Sequence, residues 1–212
     1  MIWFTSDTHF GHANVLHFTD RPFGDIAHMN RALINAINER VAPIDDLYIL
    51  GDFSYQMTAV EAAALRGKIN CRKVHIVPGN HDKDWTHKDV AGTFIVEPPI
   101  VRINIHGQKI VLSHYPLMEW QSMSRGSWHL HGHIHSAGSV YNELNRKQGL
   151  MRYDVGVDAN SYAPVSLEEL KAWFAQVDEP MCCVKWPWWV NATGDEQVEH
   201  DLESYKREVV IR

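Results

Sequence analysis

Cysteine is scarce in this sequence, long apolar runs are missing, and basic residues do not dominate. Cys71, Cys182 and Cys183 are an odd number with two adjacent. That is a poor disulfide framework and predicts a reducing compartment. No apolar stretch approaches the roughly 20 residues needed to span a bilayer. The start, Met1–Asp7, lacks the basic region and apolar run of a secretory leader. The expectation is a cytoplasmic protein with no membrane partner. Lys and Arg number 20 against 26 Asp and Glu, a formal charge of −6. Binding to long nucleic acid is disfavoured, because it needs clustered cations facing phosphates. A small anion held through metal ions remains compatible. Repeats and low-complexity linkers are also absent, and 212 residues fit one domain with or without an appendage.

Histidine is what the chain has in excess, with 14 residues. It is the commonest metal ligand and the usual acid–base group near neutral pH. Metal and phosphoryl chemistry are therefore the first classes to consider.

The first half alternates strand and helix. Ile2–Ser6, Leu47–Leu50 and Lys73–Val77 are short apolar runs that read as buried strands, closed by Asp7, Gly51–Asp52 and Pro78–Gly79. Residues 25–41 carry apolar positions at helical spacing, with Asp25 as N-cap and Pro43 beyond the end. Thr58-x-x-Glu61 and Ser166-x-x-Glu169 have capping-box spacing and open further helices. The second half is richer in strands: a hairpin over Val101–Ile105 and Lys109–Ser113, then Trp128–His131 and Arg152–Val157. The pattern predicts an α/β (α+β layered) domain, with a mixed sheet or two facing sheets and helices outside. Residues 1–177 form this domain, and 178–212, with Trp186, Trp188 and Trp189, form a C-terminal extension. That extension is expected to pack on the domain or to provide an interface for a homo-oligomer.

Five polar clusters follow apolar runs or lie in loops: Asp7-x-His9, Gly51–Asp52, Gly79–Asn80–His81–Asp82, Ser113–His114 and Gly132–His133–Ile134–His135. They supply oxygen and nitrogen donors and no thiolate, a set suited to Mn²⁺, Fe²⁺, Zn²⁺ or Ni²⁺. Asp7 and His9, and likewise His133 and His135, are separated by one intervening residue. Side-chain alternation along an extended segment would point each pair the same way.

With these five blocks in this order, the chain resembles the calcineurin-like metallophosphoesterases, most closely the small stand-alone bacterial and phage type. The resemblance implies a β-sandwich of two mixed sheets flanked by helices. It implies two divalent metal ions, with Mn²⁺ the leading choice. Asp7, His9 and His135 would hold one, Asn80, His114 and His133 the other, and Asp52 both. It implies attack by a metal-bridging hydroxide on a phosphate ester, with His81 near the leaving group. Protein Ser/Thr phosphatases of the superfamily carry an Asp and an Arg after the bridging Asp, whereas this chain has Phe53–Ser54–Tyr55–Gln56. That departure favours phosphodiesters over monoesters. The expected partner is a small phosphorylated or nucleotide-type substrate. Arg21 is a candidate for the missing cation, and His12 for a further substrate contact. Phosphomonoesterase or nucleotidase activity at the same site is the alternative. A non-catalytic interaction scaffold on this fold is a third reading, and retention of His81 argues against it.

Overall fold

The computed structural model describes residues 1–181. The elements in order are β1 (Ile2–Thr5), α1 (Val15–Phe18), α2 (Ile26–Arg40), β2 (Asp46–Ile49), α3 (Ala59–Arg66), β3 (Lys73–Ile76), β4 (Ile95–Val96), β5 (Ile100–Ile105), β6 (Gln108–Ser113), β7 (Trp128–His131), α4 (Val140–Lys147), β8 (Arg152–Asp154), β9 (Val165–Ser166) and α5 (Leu167–Phe174). Two sheets result, ordered β4-β3-β2-β1-β9 and β5-β6-β7-β8. In the first, β1 to β4 pair in parallel and β9 closes the edge antiparallel to β1. In the second, β5 and β6 form the expected hairpin, and β6, β7 and β8 are parallel.

Both faces of the first sheet are buried, which explains why its strands read as unbroken apolar runs. Side chains alternate between two cores. Trp3, Leu47, Ile49, Val74 and Ile76 pack with Leu33 and Ile37 of α2 and Ala62 of α3. Phe4, Leu50 and Val77 face the other way, against Ile110, Leu112 and Leu130 of the second sheet and Leu170 and Phe174 of α5. The layers are helices, sheet, sheet and helix, an α/β sandwich of two mixed sheets flanked by helices.

Local signals set the helix ends. The Asp25 carboxylate accepts from His28 N–H (2.6 Å), capping α2. Thr58 with Glu61 and Ser166 with Glu169 form complete capping boxes. Helix α4 is an element that apolar periodicity does not predict. Its buried residues are Asn142 and Asn145, and Asn142 exchanges two hydrogen bonds with the Asp154 backbone (2.7 and 3.0 Å). It docks through amides rather than a greasy stripe. The run expected as a strand over Arg152–Val157 pairs only to Asp154 and then turns into a 3₁₀ turn at Val157–Ala159. No described helix is long and apolar enough to cross a membrane. The tryptophans at 186, 188 and 189, and with them nearly all of the expected 178–212 extension, lie outside the described residues.

Candidate metal centre

The loops after β1 and β2 run side by side. Asp7, His9 and Phe10 donate backbone N–H groups to the carbonyls of Gly51, Asp52 and Phe53 at 3.1, 3.0 and 2.9 Å. A bridge between Ser6 and Gly156 joins the two sheets at this point, so the polar loops of both converge there. Asp7, His9, Asp52, His133 and His135 all have left-handed backbones, with φ of 57°, 48°, 53°, 74° and 47°. Such conformations cost free energy and persist where surrounding bonds over-determine them. This corrects the strand-alternation expectation: the D-x-H and H-x-H pairs converge through left-handed loops, not along extended segments. Gly132 is needed for close approach, since a Cβ there would collide with Ser6 Oγ and Asp7 Oδ2. Without one, His133 N–H reaches Asp7 Oδ2 at 2.9 Å.

The donor atoms form two groups, Asp7/His9/His135 and Asp52/His114/His133, each within 4.8 Å. His9 Nε2 lies 3.2 Å from His135 Nε2, and His133 Nδ1 lies 3.2 Å from His114 Nε2. Asp52 Oδ2 sits between the groups, 3.4 Å from His9 Nε2 and 3.5 Å from His114 Nε2. Asn80 Oδ1 joins the second group, 3.0 Å from His114 Nε2. All seven residues proposed as ligands from the sequence are therefore brought together. His81 stands beside them. Its N–H donates to Asp52 Oδ1 (2.9 Å), and its half-buried ring lies 5.6 Å from that of His9. Asp82 braces the loops, accepting from the N–H groups of Asp52, Gly79 and Phe53 at 2.8, 2.8 and 3.1 Å.

The residues fit a pair of divalent cations. Asp7 Oδ1 is buried without a hydrogen-bond partner among the described residues, and such an oxygen is costly unless something positive faces it. His114 Nδ1 is bonded to Leu50 O at 2.8 Å, and His135 Nδ1 to Asp158 Oδ2 at 2.7 Å. Each bond fixes the tautomer that turns an Nε2 lone pair into the cluster. The protonation equilibria agree. Burial raises the Asp7 carboxyl to about 7. Burial lowers His9 to about 3 and also lowers His133. Burial opposes charge on Asp52 as well, but the bonds and charge of His114, the His81 N–H and His9 outweigh it and bring Asp52 down to about 2. His114 and His135 are raised against burial, by Asp52 and Asp7 in one case and by Asp158 and Asp7 in the other. Protons at Asp7, His114 and His135 therefore compete with a cation near neutral pH.

Arg21 departs from expectation. It is buried, and its guanidinium is spent inside the protein: Nε and Nη2 donate to the two Asp158 carboxylate oxygens (both 2.8 Å), Nη2 to Asp7 O (2.7 Å) and Nη1 to Thr8 O (3.1 Å). It pins the Asp7 loop, and turning to a substrate would strip both of its bonds from the buried Asp158 carboxylate, leaving His135 on one oxygen and, among the described residues, nothing on the other. His12 lies at the edge of the site, its ring 5.3 Å from His9 and 4.4 Å from Tyr55. Asp158 is the functional residue that sequence reasoning misses. It links Arg21 to His135, a carboxylate–histidine pair of the kind that orients a metal ligand. A signal for it exists in the run Val155–Gly156–Val157–Asp158, an apolar stretch closed by Asp like those ending at Asp7 and Asp52.

Comparison with known proteins identifies the family and the fold. Residues 1–156 match the model of the calcineurin-like phosphoesterase superfamily domain. An uncharacterized protein of Methanocaldococcus jannaschii is 31% identical over 168 residues, covering 79% of this chain and 87% of that protein. The Gene 66 protein of Mycobacterium phage L5 is 28% identical over 184 residues, covering 74% and 86%. Among solved structures, a protein of unknown function from Aquifex aeolicus shares the fold, with a TM-score of 0.63 and 24% identity over 81% of this chain and 98% of that one. The chain belongs to the calcineurin-like phosphoesterase superfamily. Membership together with two candidate metal-ligand groups supports a metal-dependent phosphoester hydrolase.

Proposed function

We propose that this chain is a dinuclear phosphoester hydrolase that prefers diesters of small phosphorylated or nucleotide-type substrates. The observation that carries the proposal is the shared carboxylate: Asp52 Oδ2 lies within 3.4 and 3.5 Å of a histidine from each donor group. Asp7, His9 and His135 would hold one ion, and Asn80, His114 and His133 the other. Asp52 would serve both, offsetting the repulsion between two dications. The family resemblance makes Mn²⁺ the leading choice, and Fe²⁺, Zn²⁺ and Ni²⁺ also suit this nitrogen–oxygen set. Two divalent ions, when bound, lower the pKa of a coordinated water and neutralise charge on the phosphate oxygens. The His81 ring is beside the donor groups but outside them, so it is free to give a proton to the departing ester oxygen. Asp82 holds the Asp52 and Gly79 backbones and so keeps His81 in place.

The diester preference is supported by the fate of Arg21. A phosphate monoester carries about −1.5 to −2 near neutral pH, and a diester only one negative charge. With Arg21 committed to Asp158, the site offers that guanidinium to neither. In a Mn²⁺-loaded preparation, kcat/KM for bis(p-nitrophenyl) phosphate is expected to exceed that for p-nitrophenyl phosphate. A faster monoester reaction contradicts the preference, and hydrolysis of neither contradicts the esterase reading.

Asp158→Asn tests the support behind His135. The amide keeps one acceptor for Arg21 but loses the charge facing His135 Nδ1. Affinity for the ion of the Asp7/His9/His135 group is expected to fall about 10- to 100-fold, read by titrating metal into the apo protein. Affinity at the other group should change far less. An equal loss at both groups would mean that Asp158 acts on overall stability instead.

A further inference from the structure

Three aromatic residues near the donor groups belong to neither apolar core: Phe18, Tyr55 and Tyr115. Phe18 is 75% exposed and Tyr115 is 48% exposed. Tyr55 is half-buried. Their rings are nonetheless held against residues of the proposed site. Tyr115 lies 4.4 Å from His133 and 5.1 Å from His114, centroid to centroid. Tyr55 lies 4.6 Å from His81 and 4.4 Å from His12, and Phe18 continues outward, 6.2 Å from His12. One aromatic face thus stands beside the Asp52/His114/His133 group. Another runs from His81 through Tyr55 and His12 to Phe18. Core packing does not account for them, and solvent-exposed rings beside a ligand site are characteristic of recognition surfaces.

We infer that Tyr55 with Phe18, and Tyr115, form a subsite for the planar aromatic group of the phosphate ester, a nucleobase. The inference rests on the phosphoester reading above and specifies its substrate class. With the Arg21 guanidinium spent on Asp158, specificity falls to the organic part of the substrate. Rings next to the phosphate position can supply it, because every base presents a π-face and a tyrosine loses little conformational freedom on stacking. A wall that leads away from His81 suits a group separated from the phosphate by a sugar. A second ring beside the other donor group suits a diester, which has two arms to place.

The test is equilibrium binding to the full chain loaded with Mn²⁺, using adenosine 5′-monophosphate and methyl phosphate as probes. The wild type should bind the nucleotide about tenfold or more tightly than methyl phosphate. In Tyr55→Ala/Tyr115→Ala that ratio should fall towards one. Tyr55→Leu/Tyr115→Leu, which keeps apolar bulk, guards against misfolding of the Ala variant and should also lower the ratio. Equal affinities in the wild type, or an unchanged ratio in both double variants, would overturn the subsite while leaving phosphate binding in place. Failure of both probes to bind while bis(p-nitrophenyl) phosphate is still hydrolysed would likewise overturn the subsite, whereas failure to bind with no hydrolysis of that diester would overturn the phosphoester reading itself, and the subsite with it.

Discussion

Asp52→Asn is expected to abolish hydrolysis and to lower affinity for both metal ions by more than about a hundredfold. Loss of a partner that only supports a ligand costs 10- to 100-fold, and Asp52 faces both donor groups directly. Its carboxyl is held at about 2, so it is fully ionised at neutral pH, and an amide removes that whole charge. The substitution is nearly isosteric. Oδ1 of the amide can still accept from His81 N–H, the bond that Asp52 makes at 2.9 Å. The fold should survive, and loss of metal should be separable from loss of structure by comparing metal content with a thermal melt. Tight retention of both ions by the variant would contradict the bridging role.

His81→Ala has the next largest expected effect and the opposite signature. Metal content should be unchanged, because no ring nitrogen of His81 belongs to either donor group. The kcat should fall about 10²- to 10⁴-fold, the usual range for a lost proton donor. The loss should grow with the basicity of the leaving group, since an aryl oxide departs without help more readily than an alkoxide. Rates on matched aryl and alkyl esters measure this directly. Loss of a metal ion on substitution would make His81 a ligand. A uniform loss across leaving groups would make it a positioning residue instead of a proton donor.

These two variants rest on residues that were legible in the sequence. The apolar runs ending at Asp7 and Asp52 mark strand ends, and strand ends of one sheet lie at one edge. Capping boxes at Thr58 and Ser166 were legible because their chemistry is local, three residues apart. Helix α4 was not, because it docks through Asn142 and Asn145 and carries no apolar stripe. Arg21 was misread for a similar reason. Its partner, Asp158, is 137 residues away, and nothing local distinguishes a guanidinium facing substrate from one facing a buried carboxylate. The left-handed backbones at Asp7, His9, Asp52, His133 and His135 were also invisible, because they are imposed by bonds between loops. Composition pointed towards metal chemistry through histidine. The structure assigns that chemistry to a minority of the 14 histidines, His9, His114, His133 and His135, with His81 beside them.

The central claim is that two cations share Asp52. Metal analysis of the Mn²⁺-reconstituted full chain, combined with anomalous diffraction at the manganese edge, tests it most directly. The account predicts two ions per chain, one at Asp7/His9/His135 and one at Asn80/His114/His133, both in contact with Asp52. A single ion at full loading, or a second ion bound away from Asp52, would contradict it.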